Sequence, residues 1–127
     1  MIEPDFVQYY RNGNQGNQEG GTVSGQEMGR LFKDIVATIK RVHPAASIAW
    51  DISPWLQDNE MRTYWNHFSE SHSQIDFLFT SGGGAQANSD KIHNGGAPLS
   101  YRFLHQLTGK PIIADTGYGT DGVSVGK

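Results

Sequence analysis

Acidic side chains recur near the carboxyl ends of the apolar segments of this chain. Glu3 and Asp5 stand two positions apart on the first segment, Asp51 follows Trp50 on the second, and Asp115 holds the matching place on the last. Where several carboxyl groups lie together at one edge of a sheet, burial raises the pKa of one group and hydrogen-bond donors lower the pKa of another. A general acid and a nucleophile require this difference in pKa. This placement predicts Glu3, Asp51 and Asp115 as catalytic residues and Asp5 as a substrate ligand.

A structural interpretation of the same acids stays open. Aspartate is common in turns after strands, and an acidic pair near a terminus can serve only to solubilise it. Asp76 differs from the candidates because it stands at the amino end of its segment, where a structural role is expected.

Three further residues after strand ends have the chemistry of ligand contacts. Trp55 and Tyr118 offer flat rings that stack on the apolar face of a sugar, although packing within a loop is the alternative. Ser81 opens the run Ser-Gly-Gly-Gly, where glycines expose backbone amides to anions or let a ligand approach closely. No Gly-Lys-Ser or Gly-Lys-Thr follows, so a Walker phosphate loop is not supported. We expect Trp55, Ser81 and Tyr118 to contact substrate.

Composition argues against several other kinds of chemistry. Cysteine is absent and the five histidines show no His-x-x-x-His or His-x-His spacing, so we expect neither a metal nor another cofactor. The net charge is −3 and the Lys and Arg residues are scattered, so the sequence shows no basic cluster of the kind that binds nucleic acid or an anionic membrane. No apolar run is long enough to span a bilayer, and no basic and apolar leader follows Met1.

Hydrophobic periodicity predicts parallel α/β architecture. Strands are predicted at four apolar runs, residues 2–7, 47–52, 75–80 and 111–116. The middle two runs are nearly continuous in hydrophobicity, as in sheets covered on both faces. A helix from Ser24, with Glu27 completing a capping box, is predicted to stop before Pro44. A second is predicted at 59–71 with Asp58 as its cap, and a third from Pro98 to Gly109.

The fold class that follows is α/β, with four parallel strands and three crossover helices in a single domain over residues 1–127. It is either half of a (β/α)8 barrel or a flavodoxin-like open sheet. Because outer strands without covering helices leave apolar surface, we expect a fragment of a larger barrel or completion by a homodimer.

The strand-end phrases together resemble a known family. Ile-Glu-Pro-Asp-Phe, Ile-Ala-Trp-Asp-Ile-Ser-Pro-Trp, Phe-Thr-Ser-Gly-Gly-Gly and Gly-Lys-Pro-Ile-Ile-Ala-Asp-Thr-Gly-Tyr-Gly are similar to consecutive strand ends in the C-terminal half of bacterial TIM-barrel glycoside hydrolases of the cellulase type. The resemblance implies Glu3 as the acid of the middle strand and Asp115 as the nucleophile or its neighbour. It also implies a β-glucan or cellulose-type substrate and a secreted protein.

Two other functions remain open on the sequence. A non-catalytic carbohydrate-binding module would keep the rings and lose turnover. A flavodoxin-like domain would bind an anion or cofactor at residues 81–84.

Overall fold

Helices and parallel strands alternate along the part of the chain that the structure describes. The computed structural model describes residues 24–52, 56–80, 90–92 and 99–114. The elements in chain order are α1 (Gly25–Val42), β1 (Ala49–Ile52), α2 (Asp58–Asn66), a 3-10 helix (Ser69–Gln74), β2 (Phe77–Thr80), α3 (Tyr101–Thr108) and β3 (Ile112–Ala114). None of these helices is long and apolar enough to cross a membrane.

The strands form a small open parallel sheet in the order β1-β2-β3. This confirms the α/β prediction at the level of mixed helices and a parallel sheet. The predicted fourth strand, residues 2–7, lies outside the described residues. Because β1 pairs directly with β2 and β2 with β3, sequence order and spatial order agree across the described strands, without the reversal that marks a doubly wound sheet.

Helix α1 begins at the predicted capping box. The Ser24 hydroxyl accepts a hydrogen bond from the Glu27 amide at 3.2 Å, and the Ser24 amide donates to the Glu27 carboxylate at 2.8 Å. These bonds satisfy amides that the first helical turn leaves without partners. The helix ends at Val42, with His43 as its C-cap, one residue before Pro44.

The second predicted helix is corrected at both ends. Its N-cap is Gln57, not Asp58, and the Glu60 carboxylate accepts from the Gln57 amide at 2.7 Å. The α-helical part ends at Asn66, and the chain tightens into the 3-10 helix instead of continuing to residue 71. The change of geometry coincides with Phe68, whose backbone (φ −98, ψ 12) leaves the α region while its ring packs in the core.

The third predicted helix begins later than expected. Ser100 is the N-cap of α3 and accepts from the Phe103 amide at 3.0 Å, so the helix begins at Tyr101. Pro98 itself lies outside the described residues. The predicted stop is confirmed, because Gly109 adopts a left-handed φ of 67° and its amide bonds to the His105 carbonyl at 2.8 Å.

A cluster of rings joins the sheet to the helices. The Trp50 ring centroid lies 5.6 Å from that of Tyr64, 4.7 Å from that of Trp65 and 4.9 Å from that of Phe68. Phe68 in turn meets Phe32 of α1 edge-on at 5.4 Å. The expectation that Trp50 and Trp65 belong to the core is confirmed, since both are almost fully buried.

Helix α1 approaches the end of α2 through two glycines. A Cβ at Gly29 would overlap the backbone carbonyl oxygen of His67, and one at Gly25 would overlap the His67 ring. Glycine inside a helix costs about 1 kcal/mol relative to alanine. Close approach of the two backbones explains why a glycine occupies position 29.

We expect Gly29→Ala to lower the free energy of unfolding by about 1–3 kcal/mol, because the new methyl group meets backbone that can move only with the helix. Gly25→Ala is the matched control, and its loss should be smaller because the His67 ring can rotate away. Urea denaturation measures the free energy of unfolding of both variants. A Gly29→Ala protein as stable as the wild type would contradict the close approach.

The capping box predicts how stability depends on pH. Hydrogen bonds from the Ser24 amide and hydroxyl hold the pKa of Glu27 below its ordinary value of 4.5. A carboxyl whose pKa falls on folding stabilises the protein above its unfolded pKa, and this contribution disappears as pH falls through the folded pKa. We therefore expect Glu27→Gln to melt below the wild type at pH 7, and the difference to shrink as the pH falls below 4.5 and through the lowered pKa of Glu27. A difference that persists at low pH would contradict this interpretation.

Candidate functional site

The carboxyl ends of β1, β2 and β3 meet at one edge of the sheet. The last row across the sheet is Ile52, Thr80 and Ala114, and the row before it is Asp51, Phe79 and Ile113. In parallel α/β proteins this edge is the usual place of binding and catalytic residues. Asp51 is the one predicted site residue that falls within the described ranges.

Asp51 lies on the sheet face opposite to the ring cluster. Neighbouring residues on a strand point to opposite faces, and Trp50 points toward α2. Asp51 therefore shares the other face with its register partner Phe79 and, one strand further, with Ile113. Ile113 is 49% exposed, whereas Asp51 is only 4% exposed.

The burial of Asp51 is the unusual feature of this edge. Moving a carboxylate out of water costs several kcal/mol or more unless charges or hydrogen bonds compensate, so apolar residues usually occupy such positions. Buried carboxylates at the end of a parallel strand are suited to proton transfer or nucleophilic attack, because their environment sets their protonation. This geometry keeps Asp51 as a candidate site residue.

The other predicted site residues lie outside the described residues. They are Glu3, Asp5, Trp55, Ser81, Asp115 and Tyr118. The register nevertheless refines one expectation. The β3 residue level with Asp51 is Ile113, which stands two positions before Asp115 in the sequence.

Sequence reasoning missed one polar group at this edge. Thr80 is fully buried, and its hydroxyl makes no hydrogen bond to any residue in the described ranges. It shares its face with Trp50 and Ile52 because it pairs with Ile52. Thr80 is a β-branched residue at the end of an apolar run, and such residues are common in strands. No local pattern in the sequence therefore distinguishes it as a functional residue.

The structural role predicted for Asp76 is confirmed, at the edge of the sheet where the strands begin. Its carboxylate accepts a hydrogen bond from the Ile48 amide at 2.7 Å, and its own amide donates to the Ile48 carbonyl at 2.9 Å. This pair of bonds joins the amino ends of β1 and β2. Asp76 and Asp51 therefore hold different places in one sheet, and only Asp51 is near the carboxyl edge.

The described histidines have structural surroundings. His72 stacks on Trp65 with centroids 3.7 Å apart, and its Nε2 lies 2.9 Å from the Trp65 carbonyl oxygen. His105 bonds to the Lys110 carbonyl at 3.0 Å, and His43 caps α1. Within residues 24–52, 56–80, 90–92 and 99–114, no three acidic or histidine side chains gather as a metal site would require.

A polar groove of about 490 Å³ lies between α1 and the chain that follows α2. It is lined by Gln26, Gly29, Arg30, Lys33, Asn66, His67, Ser69 and Glu70. Lys33 donates to the Glu70 carboxylate, which lowers the pKa of Glu70 and raises that of Lys33. Both side chains are largely exposed, so water screens the pair and it contributes little to stability.

Comparison of the chain with protein-family models, with curated proteins and with solved structures finds no match. Arguments about function therefore rest on the residues and on the geometry of the sheet.

Proposed function

We propose that this chain is a carbohydrate-active domain derived from a glycoside hydrolase, which cleaves or binds a β-glucan of the cellulose type. The observation that carries the proposal is Asp51, a carboxylate that is 4% exposed and one residue from the carboxyl end of β1. The strand-end phrases that resemble cellulase-type barrels, and a sequence with only 18% charged residues, support a neutral polar ligand.

The face on which Asp51 lies supports a barrel-type site. In a (β/α)8 barrel the helices cover the outer face of the sheet, and side chains of the other face fill the interior up to the catalytic rim. Trp50 lies on the α2 side, so Asp51 takes the side that would be interior. The sequential order β1-β2-β3 is also the order of strands in a barrel.

The proposed chemistry needs a second carboxyl group. Glycosidic bond cleavage uses two carboxyls about 5 to 9.5 Å apart, one as acid or base and the other as nucleophile or base. We assign the acid or base to Glu3 and its partner to Asp51 or Asp115. Trp55 and Tyr118 would stack on sugar rings, while Asp5 and Ser81 would bond to hydroxyls. Secretion and pairing with a second copy belong to the same proposal.

Asp51→Asn tests the carboxylate, because the amide keeps the size of the side chain and removes its proton chemistry. With cello-oligosaccharides as substrate, we expect release of reducing ends to fall by about 10²–10⁴-fold, the usual contribution of an acid or base catalyst. Binding of the same oligosaccharides, measured by calorimetry, should persist.

Asp76→Asn is the matched control, since it makes the same chemical change at the opposite edge of the sheet. Its turnover per folded molecule should equal that of the wild type, even if its melting temperature falls. Equal activity of wild type and Asp51→Asn, both folded, would remove Asp51 from the site.

Glu3→Gln separates an enzyme from a binding module. Hydrolysis should collapse if Glu3 is the acid or base, whereas oligosaccharide binding should persist under both interpretations. A wild-type chain that binds oligosaccharides without releasing reducing ends would identify a binding module.

The flavodoxin-like alternative has its own test. A ligand selective for the folded state must stabilise it, so phosphate or a nucleotide should raise the melting temperature if residues 81–84 bind an anion. We expect no shift with phosphate at concentrations where cello-oligosaccharides produce one.

A further inference from the structure

One side of α1 presents apolar residues that its own core does not cover. Leu31, Ile35, Thr38 and Val42 follow one another at spacings of four, three and four residues, and we call this row the α1 seam. Leu31 is 48% and Val42 is 65% exposed. This spacing matches the heptad spacing of helices that pack along one another, and Ile35, Thr38 and Val42 are β-branched.

The α1 seam lies beside the buried stripe of the same helix. Met28, Phe32 and Val36 fill the core, so α1 has apolar side chains on two adjoining sides. A shallow pocket of about 270 Å³, lined by Asp34, Ile35, Thr38 and Ile39, opens on the seam. In helix pairs such a hole receives a side chain of the facing helix.

Two of the exposed apolar residues share one side of α1. Single exposed apolar side chains are normal on protein surfaces and need no partner. In the described part of the chain, the large apolar residues that are about half or more exposed are Leu31, Val42 and Ile113, and the first two lie on the seam. With the half-buried Ile35 and with Thr38 between them, they form a row along one helix side that fits another helix.

The charges beside the seam indicate which helix would fit. Asp34 comes one residue before Ile35, and Arg41 comes one residue before Val42, so both flank the same side of the seam and both are exposed. In an antiparallel pair these flanking positions face each other, so Asp34 of each copy would meet Arg41 of the other. In a parallel pair Asp34 would face Ile39, and Arg41 would face the position of Ala46, beyond the end of α1, and neither carries a charge.

We propose that the α1 seam binds a second copy of this chain, with the two α1 helices antiparallel about a two-fold axis. One surface then serves both partners, and Leu31 opposes Val42 while Ile35 opposes Thr38. This names the surface for the self-association included in the proposed function, but it does not depend on sugar chemistry. The experiments that test it measure association alone, so their outcome is independent of any activity on sugars.

The size of the contact sets the expected strength. An 18-residue helix is about 27 Å long, and one helix pair of this length buries less than the roughly 1,200 Å² of a stable interface. Interfaces below this area are typical of weak, transient complexes, so we expect a dissociation constant on the order of 100 μM. Sedimentation equilibrium of the full chain from about 10 μM to 1 mM covers that value.

Charge reversal tests the antiparallel pairing. Asp34→Arg or Arg41→Asp alone replaces two attractive pairs by two repulsive ones, and each should raise the dissociation constant about tenfold or more. The double variant D34R/R41D restores two attractive pairs with unchanged net charge, and it should dimerise like the wild type. A double variant as weak as the single ones would overturn the pairing.

Leu31→Gln tests the apolar row, and Ile113→Gln is its matched control because the two residues are equally exposed, at 48% and 49%. Only Leu31→Gln should weaken association, with helix content by circular dichroism unchanged in both. A wild type that stays monomeric to about 1 mM, or a dimer that only Ile113→Gln disrupts, would overturn the proposal.

Discussion

The burial of Trp50 among the rings of Tyr64, Trp65 and Phe68 is the contact on which the rest of the structure depends. Side chains alternate along a strand, so burying Trp50 on the helix side sends Asp51 to the other face. A slip of β1 by one residue would expose the indole and carry the carboxylate among the rings, and both changes are unfavourable. The ring cluster therefore also decides the position of the candidate site.

The same cluster orients α1. Phe68 connects the Trp50 rings to Phe32, and the glycines of α1 allow its backbone to reach the His67 carbonyl. With that side of α1 held against the core, Leu31 and Val42 must face outward. The exposed seam and the polar groove are thus two results of one packing arrangement, since they lie on either side of the buried stripe.

Asp51 and Asp76 illustrate how environment separates identical side chains. Asp76 is exposed and accepts the Ile48 amide hydrogen bond that joins two strand starts, so its carboxylate has a structural use. Asp51 is buried near the opposite edge, on the face away from the rings. Position along a parallel strand, together with burial, makes one of them part of the fold and the other a candidate for chemistry.

Local signals in the sequence determined the start of α1, its end before Pro44, the stop of α3 at Gly109 and the core strands, because each depends on residues a few positions apart. The caps Gln57 and Ser100 were not predicted, since Asp58 and Pro98 carry stronger local preferences for helix starts. Only the tertiary structure placed Ile113 level with Asp51, buried the Thr80 hydroxyl and brought α1 against His67. Register and close approach arise between residues far apart in the chain, where packing of whole elements outweighs the preferences of single residues.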